Sequence, residues 1–214
     1  MRLAVVGASG LIGQQIVREA LERDHTVKAL TRDPARFPFK APHLEVAPVD
    51  LSSAAATAAA ISGAEAVVNA TGDKSAEARA FFLASTHTIT EAVRLAGGPR
   101  LIVVGGAGSL DVAPGVQLVD TEGFPAMYRH IALAQRETLA LLRASAITWT
   151  FFSPSALIEP GRRTGRYSLG TDALLTNEAG ESYISVEDYA VALVDEIEQP
   201  QFVGRRFTAV SLER

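Results

Sequence analysis

Cysteine is absent from the 214 residues, which excludes disulfides, thiolate metal sites and a cysteine nucleophile. Lysine is scarce: Lys28, Lys40 and Lys74 stand among 20 basic residues, and the rest are arginine. No uncharged apolar run reaches the roughly 18 residues that a membrane span needs. Strand-like residues begin at Arg2 and run straight into a glycine loop, so no secretory leader is expected. The formal net charge of −4 argues against nucleic acid as a partner. His25, His43, His87 and His130 are scattered, none at metal-ligand spacing to another, and each reads as a surface or packing histidine. A cytoplasmic protein with no metal site and neither a membrane nor a nucleic-acid partner is expected.

What is present is apolar content, 48% of the chain, enough to bury a large core. The length fits one domain spanning residues 1–214. Short apolar runs alternate with stretches of helical periodicity, the pattern of a parallel α/β sheet. Strands are expected at Leu3–Val6, Thr26–Thr31, Leu44–Pro48, Ala66–Asn69, Leu101–Val104, Thr148–Phe152 and near Arg206–Ala209. Helices are expected from about Gly10, over Ser53–Ile61, within Ser75–Ala96, over Ala126–Ser145 and over Val186–Glu198. Gly97-Gly98-Pro99 supplies a helix stop. Residues 154–185 lose the helical period and read as an irregular, substrate-side segment. The sum is a Rossmann-type doubly wound sheet with a small C-terminal appendage.

The strongest motif is Gly7-Ala8-Ser9-Gly10-Leu11-Ile12-Gly13, set between an apolar strand and an amphipathic helix. Gly7 allows the tight turn, Gly10 lets backbone approach a pyrophosphate, and Gly13 lets helix and strand pack closely. Free N–H groups at the helix start attract phosphate. The spacing is GxxGxxG rather than GxGxxG. After the second strand comes Leu30-Thr31-Arg32-Asp33, where an acidic residue would bind the ribose hydroxyls of NAD(H). Arg32 can instead clamp a 2′-phosphate, which favours NADP(H) over NAD(H). The opposing readings are that Asp33 lies beside it and that Arg32 is a solvated surface residue. Asp50-Leu51 follows the third strand, where the carboxylate either meets an adenine amino group or caps the next helix. Ala70, Thr71 and Gly72 end the fourth strand with small residues that leave a cofactor room against the backbone.

These stretches, with Val103-Val104-Gly105-Gly106-Ala107-Gly108-Ser109-Leu110, Ala134-Gln135, Trp149-Thr150-Phe151, Ser153-Pro154-Ser155-Ala156-Leu157 and Ile184–Ala190, carry a resemblance. The chain resembles an atypical short-chain dehydrogenase/reductase, and more narrowly the NADH-flavin reductase-like proteins, relatives of the NmrA-like and biliverdin reductase B families. The resemblance implies that Gly105 to Ser109 lie near the nicotinamide and that Pro154, Ser155, Ala156 and Leu157 meet its carboxamide side.

One departure narrows the chemistry. Most short-chain reductases use a Tyr-x-x-x-Lys pair, but Ala132, Thr171, Glu187 and Leu193 stand four after Tyr128, Tyr167, Tyr183 and Tyr189. Alignment with that superfamily puts Ile131 and Gln135 in the pair's places. Gln135 can hydrogen-bond a ribose, but Ile131 cannot donate a proton. Tyr128 lies one turn earlier on the same face, as a relocated acid or as packing. Ser109, Tyr128 and Gln135 are the candidate catalytic residues. A ketone reductase needs a placed acid, whereas a conjugated acceptor delocalises the incoming charge. A hydride transfer to a flavin, quinone or similar acceptor is therefore expected. The alternative is an NmrA-like regulator that binds the dinucleotide without turnover. An epimerase would keep the Tyr/Lys pair and carry a larger C-terminal lobe. Ser9 lacks a nucleophile elbow and a His/Asp set, which removes a hydrolase. Arg162, Arg163 and Arg166 form a basic loop, either an anion grip or simply solvated.

Overall fold

A computed structural model describes all 214 residues. The chain runs β1 (Arg2–Val6), α1 (Leu11–Glu22), β2 (Thr26–Thr31), β3 (Leu44–Pro48), α2 (Ala54–Ala60), β4 (Ala66–Asn69), α3 (Ala78–Leu95) and β5 (Arg100–Val104). It continues through β6 (Asp111–Ala113), β7 (Val116–Gln117), α4 (Ala126–Arg143), β8 (Trp149–Ser153), β9 (Leu157–Glu159), β10 (Tyr167–Gly170), β11 (Tyr183–Ser185), α5 (Val186–Glu198) and β12 (Arg205–Ser211). The central sheet has 8 strands in the order β10-β12-β8-β5-β4-β1-β2-β3. All its neighbours are parallel except β10, which pairs antiparallel with β12 at one edge. The expected Rossmann-like α/β architecture is the one observed.

The apolar strands are buried on both faces, as a parallel sheet requires. Leu3 and Val5 pack with Val27, Val68, Ile102 and Phe152 on one face, while Ala4 and Val6 pack with Leu30, Val67, Leu101 and Phe151 on the other. Helices α1 and α5 cover the first face, and α2, α3 and α4 the second. On the α1 side a column of near-parallel rings runs Tyr189–Phe152–Phe207–Phe202, with centroids 3.9, 4.0 and 4.7 Å apart. The strand order reverses at β1, between β4 and β2, and opens a crevice at the carboxyl edge.

Residues 154–185 are more ordered than the sequence suggests. They hold β9, β10 and β11; β9 and β11 form a parallel pair, and β10 joins the main sheet. Polar anchors fix the stretch between β9 and β10. The buried Asp188 carboxylate accepts from Thr164 N (2.7 Å), Thr164 Oγ1 (2.7 Å), Gly165 N (2.8 Å) and Ser211 Oγ (3.0 Å). Arg163 forms two hydrogen bonds to the buried Glu19 of α1, at 2.7 and 2.8 Å, and Arg23 donates to Glu19 as well. Arg166 pairs with Glu213 and Arg162 donates to the Arg214 carbonyl, so this basic loop is spent on carboxylates and backbone of its own chain. No helix is long and apolar enough to cross a membrane.

Burial pushes the Glu19 carboxyl upward, but hydrogen bonds from Arg163 and Arg23 outweigh it and hold its pKa below the ordinary value. A depressed folded pKa gives stability that is present above the unfolded value, about 4.3, and is lost as pH falls through the folded value. Glu19→Gln should cost about 3 kcal/mol at pH 7, the low end for a broken buried pair because Arg163 is half in water. Urea midpoints across the acid range should show the gap to wild type closing as pH falls below about 4. A gap that stays constant would mean that Glu19 does not titrate as part of this pair.

Candidate functional site

Six expected segments come to one edge of the sheet because each follows the carboxyl end of a parallel strand: 7–13 after β1, Arg32 after β2, 50–51 after β3, 70–72 after β4, 105–106 after β5 and 154–157 after β8. The glycine loop is wedged into β1's surroundings. Gly7 has φ +81°, and a β-carbon there would stand 2.6 Å from the Ala70 carbonyl oxygen and 2.7 Å from Thr71 N. At Gly13 a β-carbon would meet the Gly7 oxygen at 2.4 Å. Gly10 differs: its nearest neighbour would lie 3.4 Å away, an ordinary contact, and its φ is −74°. The fold therefore requires glycine at 7 and 13 but not at 10. No side chain caps α1, and no acidic residue lies in its first turn. Its leading N–H groups face the crevice beside the exposed Leu11, with Ile12 partly buried behind it, an arrangement suited to an anion. Ser9 is tied in by Thr31 Oγ1, which donates to its hydroxyl at 3.1 Å, and by Gln14 Nε2, which donates to its carbonyl at 2.7 Å.

Around this loop the polar side chains divide into committed and free. Asp33 caps the turn Pro34–Arg36 by accepting from Ala35 N at 3.2 Å. Its neighbour Arg32 is exposed and makes no hydrogen bond or ion pair within the chain. Asp50 accepts from Ser52 N at 2.9 Å, and the Ser52 hydroxyl and amide hold its carboxyl below the usual carboxylate range. The cap of α2 is Ser53, through Ala56 N, so the helix-capping reading of Asp50 gives way to a turn just before it. Leu51 is partly buried against the α2 side of the core. At the end of β4 the Asn69 side chain accepts from Thr71 N and Oγ1, at 3.1 and 2.7 Å, and thereby fixes Ala70–Thr71 against Gly7. A β-carbon at Gly72 would meet nothing within 4 Å.

The other half of the crevice lies at β5 and β8. Gln135 projects from α4 toward Gly106, whose added β-carbon would lie 3.2 Å from the Gln135 Cβ. Gln135 is 8% exposed, and its Oε1 has no hydrogen-bond partner. A buried, unpaired amide oxygen costs on the order of 1–3 kcal/mol and waits for a donor. Ile131, one turn earlier, packs with Ala78, Phe82 and Ala134. Tyr128, in the first turn of α4, is 50% exposed. Ser109 is buried, and both its hydroxyl and its carbonyl accept from Arg206, so it is committed inside the chain rather than presented to a substrate. In the β8 segment Pro154 and Ser155 are buried, and Ser155 Oγ donates to the Ala209 carbonyl at 2.8 Å. Ala156 N and Leu157 N donate to Ser182, and the Leu157 side chain stays partly exposed.

Sequence reasoning missed Arg206, Asp172 and the organising part of Asp188. A cavity of about 240 Å³ is lined by Tyr167, Asp195, Glu196, Phe202 and Phe207 near the start of β12, away from the glycine loop. The carboxyl edge of the sheet, not that cavity, gathers the motif residues.

This crevice on this fold defines a Rossmann-like NAD(P)-binding protein. The NAD(P)H-binding family model matches residues 7–200, and the chain belongs to that family. Among solved structures it is similar to a candidate exported protein of Burkholderia pseudomallei, with 45% identity, TM-score 0.89, and 98% of this chain and 99% of that chain covered. It is also similar to a candidate epimerase of Bacteroides thetaiotaomicron, with 39% identity, TM-score 0.92, and 100% and 98% covered. A candidate NADH-flavin reductase of Streptococcus pneumoniae TIGR4 matches with 33% identity, TM-score 0.87, and 99% of each chain covered.

The contrast within the glycine loop is measurable. Gly10→Val should lower the thermal midpoint by only about 2–4 °C, the cost of a poorer helix start. Gly13→Val should prevent folding, because its side chain would occupy the position of the Gly7 carbonyl. Calorimetry of the two variants checks this, and equal midpoints would contradict it.

Proposed function

We propose that this protein is an NAD(P)H-dependent reductase that passes hydride to a flavin, a quinone or a similar conjugated acceptor. The observation that carries the reading is the pairing on α4: a packed Ile131 where a proton donor would stand, and a buried Gln135 whose carbonyl is unpaired. Gln135 can accept from a ribose hydroxyl and so position the nicotinamide end, but nothing at Ile131 can protonate an alkoxide. The dinucleotide supplies the hydride, and the chain supplies alignment. Glycine-loop N–H groups hold the pyrophosphate, Ala70–Gly72 and Gly105–Gly106 give it a backbone floor, and Pro154–Leu157 bound the carboxamide side. The charge left on a reduced flavin or quinone spreads over the acceptor itself, so water can deliver the proton. The Streptococcus relative's name points the same way. An epimerase activity, as named for the Bacteroides relative, would need an acid–base pair that α4 does not carry.

Preference for NADP(H) follows from Arg32 and Asp33. Arg32 is unpaired and Asp33 is engaged in its turn, so a 2′-phosphate would meet a free guanidinium rather than a free carboxylate. Arg32→Ala should weaken NADPH about ten- to a hundredfold, the loss of a charged hydrogen bond, with NADH affinity nearly unchanged. Fluorescence titration of both cofactors checks it, and equal losses would make Arg32 a surface residue. In the same titration Gly10→Val, folded, should bind neither.

Steady oxidation of NADPH with flavins or quinones, and near-inertness toward unactivated ketones, is the expected activity profile. General acids contribute about 10²–10⁴-fold, so the contrast should be large. Tyr128→Phe should change flavin turnover by less than about threefold. Brisk ketone reduction, or a loss of several hundredfold in Tyr128→Phe with cofactor affinity intact, would move the acid to Tyr128 and overturn the acceptor assignment. Tight cofactor binding without oxidation by any acceptor would favour a dinucleotide sensor.

A further inference from the structure

Helix α4 leads into the amino end of β8, so its first turn lies at the carboxyl edge of the sheet, level with the gathered motif segments. Tyr128 stands in that turn, half in water, beside the exposed Met127. A single exposed apolar residue needs no explanation, so the weight falls on what Tyr128 touches and where it points. The hydroxyls of Tyr167 and Tyr189 are spent on Asp195 and on the Phe152 carbonyl, whereas that of Tyr128 has no partner in the chain. Its neighbours are committed. Arg129 Nη2 donates to the Thr121 carbonyl at 3.3 Å, and its guanidinium lies 5.9 Å from the centre of the Phe124 ring. His130 Nε2 donates to the Ser75 carbonyl at 3.2 Å, in the segment between β4 and α3. The Tyr128 ring therefore projects, uncovered, from a turn that is fixed on both flanks.

Its direction follows from helix geometry. Residues four and seven apart share a helix face. Tyr128 is four before Ala132 and seven before Gln135, so its side chain leaves α4 between the directions of those two. Both are pinned to the backbone that follows β5. A β-carbon on Gly106 would lie 3.2 Å from the Gln135 Cβ, and one on Gly108 would lie 2.6 Å from the Ala132 Cβ. With a rise of about 1.5 Å per residue, Tyr128 stands roughly 10 Å beyond Gln135 along the helix, toward the open edge. The ring thus overhangs the Gly106–Gly108 backbone, on the same face as the unpaired Gln135 carbonyl.

We propose that the Tyr128 ring is an acceptor-binding platform, against which a planar conjugated acceptor packs while its reacting end lies over Gly105–Gly106. The inference rests on the reductase reading given above and adds to it a residue that selects flat, fused-ring acceptors. Aromatic rings gain from offset or edge-to-face contact as well as from the apolar area they cover. A fused ring system reaches from the level of Gln135 to that of Tyr128, and a small ketone does not. The role belongs to the ring and not to the hydroxyl, so it is distinct from that of a proton donor. It also bears on the acceptor rather than on the dinucleotide, whose pyrophosphate site at Gly7–Gly13 lies across β4.

Riboflavin is the probe. Tyr128→Ala should raise its KM in NADPH oxidation about five- to thirtyfold, with kcat and the Kd for NADPH within about twofold of wild type. Fluorescence titration of riboflavin on the protein–NADP⁺ complex, where no hydride can move, should show the same rise in Kd. Tyr128→Phe and Tyr128→Trp, which keep a ring, should stay within about threefold on both measures. Leu141→Ala, which removes another exposed apolar side chain at the far end of α4, should change neither. An unmoved KM and Kd in Tyr128→Ala would overturn the proposal. A phenylalanine variant as impaired as the alanine one would overturn it too, as would a loss of NADPH affinity that parallels the riboflavin loss. Wild-type protein that binds riboflavin through Tyr128 yet never oxidises NADPH with it would instead fail the reductase reading while the platform stands, so the two failures are told apart.

Discussion

Between the carboxyl end of β1 and the first turn of α1 there is no space for a β-carbon. The Gly7 carbonyl oxygen lies 2.4 Å from where a side chain at Gly13 would begin, and the backbone of Ala70–Thr71 crowds Gly7 from the other side. Helix α1 therefore starts hard against the point where the strand order reverses, with its uncapped N–H groups turned into the crevice. From that placement follow the burial of Ile16, Val17 and Ala20 against the sheet and the packing of α1 on α5. It also sets the position of Glu19, where the later chain is fastened back by Arg163. Gly10 stands apart inside this knot, free of any steric demand from the fold.

The two halves of the crevice are built by different physics. Backbone against backbone makes the dinucleotide side, and apolar strands buried on both faces keep it rigid. The other side is carried by residues 154–185, which offer little apolar area to bury. Hydrophobic burial cannot hold such a stretch, so buried charge does. Asp188 gathers Thr164, Gly165 and Ser211; Glu19 takes Arg163; Arg206 takes Ser109 and Asp172. Each anchor is a charged group nearly out of water whose partners are fully in place, the condition under which burying it is tolerable.

The same division explains what could be read from the sequence. Seven of the eight sheet strands announce themselves as apolar runs bounded by turns, and the glycine loop by its strand–loop–helix context. Tyr167–Gly170 does not, because β10 is an edge strand whose pairing with β12 is fixed by contacts some forty residues away in sequence. The short pair β9–β11 is hidden for the same reason. Asp50 could be weighed as adenine contact or helix cap, but only the geometry at Ser52 and Ser53 moves the cap to Ser53. Arg162, Arg163 and Arg166 look like a basic patch until their carboxylate and carbonyl partners, distant along the chain, come into place. One signal was available for Arg206. Period-two alternation along Arg206–Val210 sets Phe207 and Ala209 on one face, so Arg206 and Thr208 share the other face of a strand whose neighbours bury both.

On the reductase reading, charge around Gln135 links the site to its chemistry. A lysine in the place of Gln135 would bring a permanent positive charge beside the Gly105–Gly106 backbone and draw down the pKa of any neighbouring hydroxyl that serves as an acid. Gln135 is neutral, and Ile131 has no hydroxyl for such a charge to act on, so neither half of that device is present. What remains is a carbonyl oxygen held out of water without a partner, able to accept from a ribose and indifferent to pH. On the reductase reading, such a site can fix the cofactor's reacting face but cannot neutralise the product. The acceptor must then be a molecule that carries its own place for the new electron pair. That requirement, set by two side chains on one helix face, ties the acceptor's chemistry to α4 more closely than to any residue of the glycine loop.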